Sequence, residues 1–389
     1  MTYFQWILGS LLALIWLSRV VDATLGVRTL VNISHTEWDR RPATPAGNPR
    51  VAIIVPARNE EASMGEALSR LLALDYDNYE VIAVDDRSTD RTGEIMDDVV
   101  SRSEGRLKVV HIGELPPGWM GKAHAMWTAA READSEWLLF TDADVMFRPD
   151  CLRRAIAYAE AERADHLVLF PRTIMKRPGE KMMLAFFQLM FVFGHRPWKV
   201  ADPKAKDHIG VGAFNLVRKS VYEAVGTYET LRFEVVDDMK LGKVIKNAGF
   251  RQRNVIGGDL LEIRWARGAS GVVRNLTKNF FAVMSYQWWR AVLFCAAAAI
   301  GNLMPFAGIL LAHHWARFPY AIALACMFFL YAGMSVYSDV RPWYFLVHPI
   351  ATLLFIYTML RSMFFTLSNG GVEWRGTFYP LDDLRKGLV

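Results

Sequence analysis

Four stretches of this chain, Thr2–Ser18, Ala291–Ala312, Phe318–Tyr337 and Trp343–Leu360, contain no Lys, Arg, Asp or Glu. A helix needs about 20 predominantly apolar residues to cross the hydrocarbon core of a bilayer. Each stretch meets that requirement, so the chain cannot be an ordinary soluble protein throughout. Composition agrees: hydrophobic residues are 52% and aromatics 13% of 389 residues, yet charged residues still hold at 22%. This balance excludes a disordered, collagen-like or disulfide-scaffold chain and points to a soluble domain alongside membrane helices.

The first stretch reads as an anchor rather than a cleaved signal peptide. Met1–Gln5 carries no positive charge, and the apolar run resumes after Arg19 through Val20 and Val21. Arg19, Arg28, Arg40 and Arg41 follow it, and Arg274, Lys278 and Arg290 precede the second stretch. The positive-inside rule therefore places the intervening region in the cytoplasm. Cys151, Cys295 and Cys326 lie far apart and form no CxxC pair, which argues against a structural zinc or a disulfide framework and fits a reducing compartment. Net charge is only +5 and scattered, with no aromatic-basic motif, so no nucleic-acid partner is expected.

The expected organisation is an N-terminal anchor (1–30), a linker (31–50) around Pro42–Pro49, an α/β domain (51–285), membrane helices (286–368) and a tail (369–389). The α/β assignment rests on short apolar runs at Val51–Val55, Glu80–Val84, Leu107–His111, Trp137–Phe140 and His166–Phe170, separated by helical patterns. Unbroken runs of this length mark strands buried on both faces, hence a mostly parallel sheet. Met64, Leu68, Leu71 and Leu72 give the first intervening helix one apolar face.

In open α/β sheets the ligand binds beyond the carboxyl ends of the strands. There the chain places Pro56-Ala57-Arg58-Asn59-Glu60, then Asp85-Asp86-Arg87-Ser88-Thr89-Asp90, then Thr141-Asp142-Ala143-Asp144. Asp90 suits a helix cap. Asp142 and Asp144 do not: carboxylates at i and i+2 of an extended segment share one side, where a hard divalent cation offsets their repulsion.

These motifs, with Gly118-Trp119-Met120-Gly121-Lys122 between the second and third, resemble the family 2 glycosyltransferases of GT-A fold. The resemblance runs from about Val51 to Phe281, and the flanking spans extend it to the membrane-bound branch that includes ceramide glucosyltransferase and bacterial hopanoid- and carotenoid-associated transferases. It implies an inverting transfer of a sugar from a nucleotide-diphosphate donor, a UDP-sugar by the same resemblance, to a hydroxyl of a membrane lipid at a bacterial inner membrane. It implies Mg or Mn on the leaving diphosphate, with Asp144 as ligand and Asp142 shared between metal and ribose. Ala57, Arg58 and Glu60 would border the donor, Asp86 and Asp85 would hold the nucleoside, and Lys122 would face the diphosphate. The acidic pair that carries the base in relatives matches Asp237-Asp238, with Asp where Glu is usual at the first position; Asp238 is the expected base.

On the acceptor side, Gly212 and Phe214 fall in a matching segment. Arg264 and Trp265 resemble the end of the QxxRW motif of processive synthases, but Leu261 stands at its first position, which argues against polymer synthesis. A polysaccharide synthase and a non-catalytic membrane scaffold remain the rival readings; the intact acids oppose the scaffold. Arg172–Lys206 carries eight basic residues against two acids around Met182–Phe193, where only Gln188 is polar. That pattern suits a helix lying at the membrane surface.

Overall fold

The computed structural model describes residues 2–42 and 47–389, so residues 43–46 of the expected linker lie outside the described part. The helices are α1 (Thr2–Val27), α2 (Met64–Leu72), α3 (Thr92–Val100), α4 (Gly121–Glu132), α5 (Cys151–Ala161), α6 (Pro178–His195), α7 (Lys219–Ala224), α8 (Asp237–Asn247), α9 (Gly268–Val283), α10 (Trp288–Leu311), α11 (Arg317–Met334), α12 (His348–Ser368) and α13 (Leu381–Lys386). The strands are β1 (Val51–Ala57), β2 (Tyr79–Asp86), β3 (Leu107–Ile112), β4 (Trp137–Phe140), β5 (Val145–Phe147), β6 (His166–Phe170), β7 (Arg172–Thr173), β8 (Asn215–Arg218), β9 (Gln252–Ile256), β10 (Leu261–Ile263), β11 (Gly371–Trp374) and β12 (Thr377–Pro380). They form two compact units. One comprises Leu30–Thr173, Pro197–Arg264 and Arg375–Val389; the other comprises Met1–Thr29, Ile174–Arg196 and Trp265–Trp374.

The first unit is built on a seven-stranded sheet of order β3-β2-β1-β4-β8-β6-β9. Every neighbour pair is parallel except the two made by β8. Val51, Ile53, Ile54, Val81, Ile82, Leu138 and Leu139 are fully buried, as unbroken apolar runs require of a sheet covered on both faces. Met64, Leu68 and Leu71 of α2 are buried, while Leu72 is half-buried. From β1 the chain moves outward to β2 and β3 on one side, and β4 lies on the other. The crevice at that change of direction is where an open sheet receives its ligand. A three-stranded sheet, β5-β10-β7, completes the unit.

The expected domain boundaries differ from this division in three places. Residues 31–42, expected as linker, belong to the first unit. The Ile33 side chain is buried, its N–H donates to the Ile256 carbonyl (3.0 Å), and the Ile256 N–H donates to Val31 (2.9 Å). This segment covers the open edge of β9, a row of backbone groups that a sheet must pair or shield. The basic-flanked helix α6 and the segment from Trp265 onward belong to the second unit instead. Residues 375–389, expected as a separate tail, return to the first unit, with Leu384 fully buried.

The second unit holds four helices long and apolar enough to cross a membrane, Tyr3–Val27, Trp288–Leu311, His314–Met334 and Pro342–Ser368. Leu14, Leu293, Leu310, Phe329 and Leu353 are exposed on them, as a lipid-facing surface requires. Inside, the Trp16 indole N–H donates to the Gly301 carbonyl (2.9 Å). His348 joins Tyr331 and Asn302 through its two ring nitrogens, each at 3.0 Å. Such buried polar groups persist only when paired. These contacts set the depth of α12. Its first residue sits beside Asn302, nine residues or about 14 Å short of the end of α10. It then runs antiparallel to α10, with Phe355 against Phe294 (6.0 Å) and Phe280 (4.6 Å), and Ser362 accepts from the Phe281 N–H (3.0 Å). Thus α10 and α11 make a full hairpin, while α12 starts partway down and returns toward the side where α10 began.

Residues 375–389 share a compact unit with residues that precede α10, so an even number of crossings between the two is expected. A cysteine introduced at Lys386 and one at Asp134, both exposed, are therefore expected to react with an impermeant maleimide from the same side of the membrane, the native cysteines being buried. Labelling from opposite sides would require three crossings by α10–α12.

Candidate active site

The polar motifs leave the strands without a gap: β1 runs to Ala57 and β2 to Asp86. Consecutive side chains on a strand point to opposite faces, and this separates Asp85 from Asp86. Asp85 accepts from the Ser88 N–H (3.1 Å) and pairs with His111 (3.3 Å), so it is committed to its own turn. Asp86 is buried and receives both Nε (2.7 Å) and Nη2 (3.0 Å) of Arg87. Its carboxylate presses on Gly121, the first residue of α4, where any Cβ would collide with Asp86 and Arg87. A glycine at this place lets the second and third motifs meet.

Lys122 follows, and its ammonium reaches Asp142 at 2.8 Å and Asp237 at 3.7 Å. Burial opposes its charge, but Asp142, Asp237 and Asp238 outweigh that penalty and hold its pKa above the usual lysine value. The chain turns at Ala143 and Asp144 rather than staying extended as expected. Asp142 and Asp144 nevertheless still act on each other. Burial, then the charges of Asp142 and Glu60, push the Asp144 carboxyl up to about 7. That is the signature of an acid short of a cation.

The acidic pair opens α8, where carboxylates favour the positive end of the helix. Asp237 is buried and receives the Tyr228 hydroxyl (3.3 Å) besides Lys122. Asp238 accepts the N–H groups of Gly212 (2.8 Å) and Met239 (2.7 Å). Burial, then the neighbouring Asp237, push it up to about 6. Gly212 is wedged between the two acid clusters: its N–H goes to Asp238, its carbonyl accepts from the Asp142 N–H (3.0 Å), and a Cβ there would strike the Asp142 carboxylate. Phe214, expected beside it on the acceptor side, is instead fully buried against Phe147 (6.1 Å) and serves the core. Arg264 ends the first unit and Trp265 begins the second, where its ring stacks on Phe187 (5.4 Å).

Residues from the C-terminal segment also reach this edge. Arg375 donates to the Arg58 carbonyl (2.6 Å) and to Glu60 (2.7 Å), and its charge acts on Asp144. Arg58 donates to the Thr377 hydroxyl (3.2 Å), and the Gly121 N–H donates to the Tyr379 hydroxyl (3.2 Å). Within the tail expected at 369–389, no local pattern indicates that Arg375, Thr377 and Tyr379 land here. Tyr228 left no signal at all.

A mixed sheet whose strand ends bring these acids around one lysine is the frame of a GT-A glycosyltransferase. Residues 52–226 match the family described as glycosyl transferase family 2, and the protein is a glycosyltransferase. It is 24% identical to the 4,4'-diaponeurosporenoate glycosyltransferase of Staphylococcus aureus (strain USA300) over 377 residues, 94% of this chain and 98% of the relative. The mannosyltransferase PcManGT from Pyrobaculum calidifontis, solved in complex with GDP-Man and Mn2+, shares the fold over 91% of this chain and 99% of its own, with a TM-score of 0.52 at 21% identity.

Among the described residues no group of three or more His, Cys, Asp and Glu encloses a metal by itself. The chemistry of the donor set nonetheless suits a hard cation: Asp144 is a half-buried carboxylate beside Asp142 and Glu60, with no ion pair among the described residues. Asp144→Asn keeps the shape and removes the charge. It is expected to abolish metal-dependent nucleotide binding, read by calorimetric titration of UDP and GDP with Mn2+, while the circular dichroism spectrum stays that of the folded protein. Undiminished metal-dependent binding would remove Asp144 from the metal's ligands.

Proposed function

We propose that this protein is an inverting glycosyltransferase that moves a sugar from a nucleotide diphosphate to a membrane lipid at the inner membrane, with its catalytic unit in the cytoplasm. The observation that carries the reading is the convergence of Asp142, Asp237 and Asp238 on Lys122 at the strand ends, with Asp144 and Glu60 beside Asp142 and Asp86 packed against Gly121. These carboxylates outnumber the cations Lys122, Arg87 and Arg375, which suits a site completed by a divalent metal and its donor. The basic residues flanking α1 and α10 support the cytoplasmic orientation.

Within this reading Asp86 faces the nucleoside and Lys122 the diphosphate. Asp144 holds Mg or Mn with help from Asp142, and the cation, when bound, neutralises charge that develops on the departing diphosphate. Asp238 takes the proton of the acceptor hydroxyl. Asp237, bound to Lys122 and Tyr228, fixes the start of α8 and so orients Asp238. Leu261 lies in β10 rather than presenting a polar side chain to an acceptor, which again opposes polymer synthesis.

A second acceptor chemistry is favoured by the relative's name, which is that of a polyene carboxylate. A carboxylate oxygen is already ionised at neutral pH and needs no base. The two acceptors separate cleanly. With a hydroxyl acceptor, Asp238→Asn lowers transfer by about two to four orders of magnitude while leaving nucleotide affinity nearly unchanged, and Asp237→Asn is milder. Since the base works only when deprotonated, the wild-type rate then falls as pH drops through about 6. With a carboxylate acceptor, Asp238→Asn retains most of its rate. The assay uses membranes containing the protein, labelled UDP- and GDP-sugars and a lipid extract, and label is expected in the organic phase. Label only in water-soluble polymer would overturn the lipid assignment.

A further inference from the structure

We propose that the segment Arg375–Tyr379 is a wall of the donor site, in which Arg375 binds the diphosphate of the sugar nucleotide and Tyr379 positions the segment. This rests on the donor site described above, but assigns it residues that lie beyond the last membrane helix, more than 200 positions from Asp144 and outside the matched family domain.

The geometry begins at the turn. Arg375 (φ 49°) and Gly376 (φ 74°) are both left-handed. Glycine adopts that conformation freely, whereas arginine does so only where surrounding contacts enforce it. Those contacts are the two bonds from its guanidinium, to the Arg58 carbonyl and to Glu60, and the bond from Arg58 to Thr377. Every partner belongs to the loop after β1, one of the two loops that border the crevice. A guanidinium has five N–H donors in a planar fork suited to phosphate. The two bonds to Arg58 and Glu60 leave donors to spare, and the side chain is 44% exposed, so an anion can reach it.

The other end is fixed differently. Tyr379 is buried, and its hydroxyl accepts the N–H of Gly121 at the start of α4, next to the Asp86–Arg87 pair. The segment is therefore held at one end by the loop that borders Asp144 and at the other by the loop that carries Lys122. A donor with its nucleoside at Asp86 and its diphosphate near Asp144 lies along it. A latch that only tied the C-terminal segment to the domain would have no need of an accessible cation beside a cluster of acids. A diphosphate-binding residue does.

The test uses the full-length protein in detergent with Mn2+ present and measures by titration the affinity for UDP, for GDP and for the matching nucleoside without phosphate. Arg375→Gln is expected to weaken binding of the diphosphate preferred by the wild type roughly ten- to hundredfold and to leave the nucleoside unchanged. Arg375→Lys should recover part of the loss, since it restores the charge without the fork. Tyr379→Phe, which keeps the buried ring, should weaken the diphosphate by a smaller factor. Unchanged diphosphate affinity in Arg375→Gln, or equal losses for diphosphate and nucleoside, would make the segment a structural latch and overturn the proposal alone. Failure of the wild type to bind either diphosphate would overturn the donor site itself and the segment's role with it.

Discussion

Lys122 is the interaction on which the site depends. An ammonium or a carboxylate placed alone in a protein interior loses several kcal/mol of solvation, and a buried pair stripped of one partner costs about 3–5 kcal/mol. Lys122 meets this constraint by facing Asp142 from the turn after β4 and Asp237 from the start of α8 at once. No other cation bridges those two segments among the described ion pairs. Its own position follows from Gly121, which lets α4 begin against Asp86. The acids of three separate segments are thus drawn to one point, and the backbone groups of Gly212 tie the remaining two clusters together.

The same electrostatics explain why the site is poised rather than neutralised. Asp142 and Asp237 have a cation, Asp86 has Arg87, and Glu60 has Arg375, but Asp144 is left among like charges and holds its proton to higher pH than an ordinary carboxylate. A stability-driven design would pair or remove such a group. Its retention beside an exposed arginine is the pattern of a site that gains its missing charge from a ligand, and the strained turn at Arg375 belongs to the same pattern.

Much of this was legible in sequence because the relevant signals are local. The central strands β1, β2 and β4 carry apolar runs at Val51–Val55, Val81–Val84 and Trp137–Phe140, and the motifs at 56–60, 85–90 and 141–144 continue directly from their ends. What failed to show were features set by distant partners. Residues 31–42 look like a linker since their one large buried side chain, Ile33, is meaningful only beside β9. Met182–Phe193 reads as a surface-lying helix, but its packing partner, Phe355 against Phe186 at 5.0 Å in the unit of apolar helices, is named by no local pattern. Phe214 looked like an acceptor contact by position in its motif, but just before β8 it packs into the core beside Phe147.

By itself, the sequence determined the membrane-bound α/β architecture and the roster of acids, because periodicity fixes which faces are buried and charged residues at strand ends have nowhere else to go than the sheet's edge. Only the tertiary structure decided which of them act together. It assigned Asp85 to a turn and Asp86 to the crevice, joined Asp142 to Asp237 through one lysine, stopped α12 partway along α10, and brought Arg375 to Glu60. Each of those outcomes depends on contacts between residues far apart in the chain, whose pairing is set by packing and charge balance rather than by any local pattern.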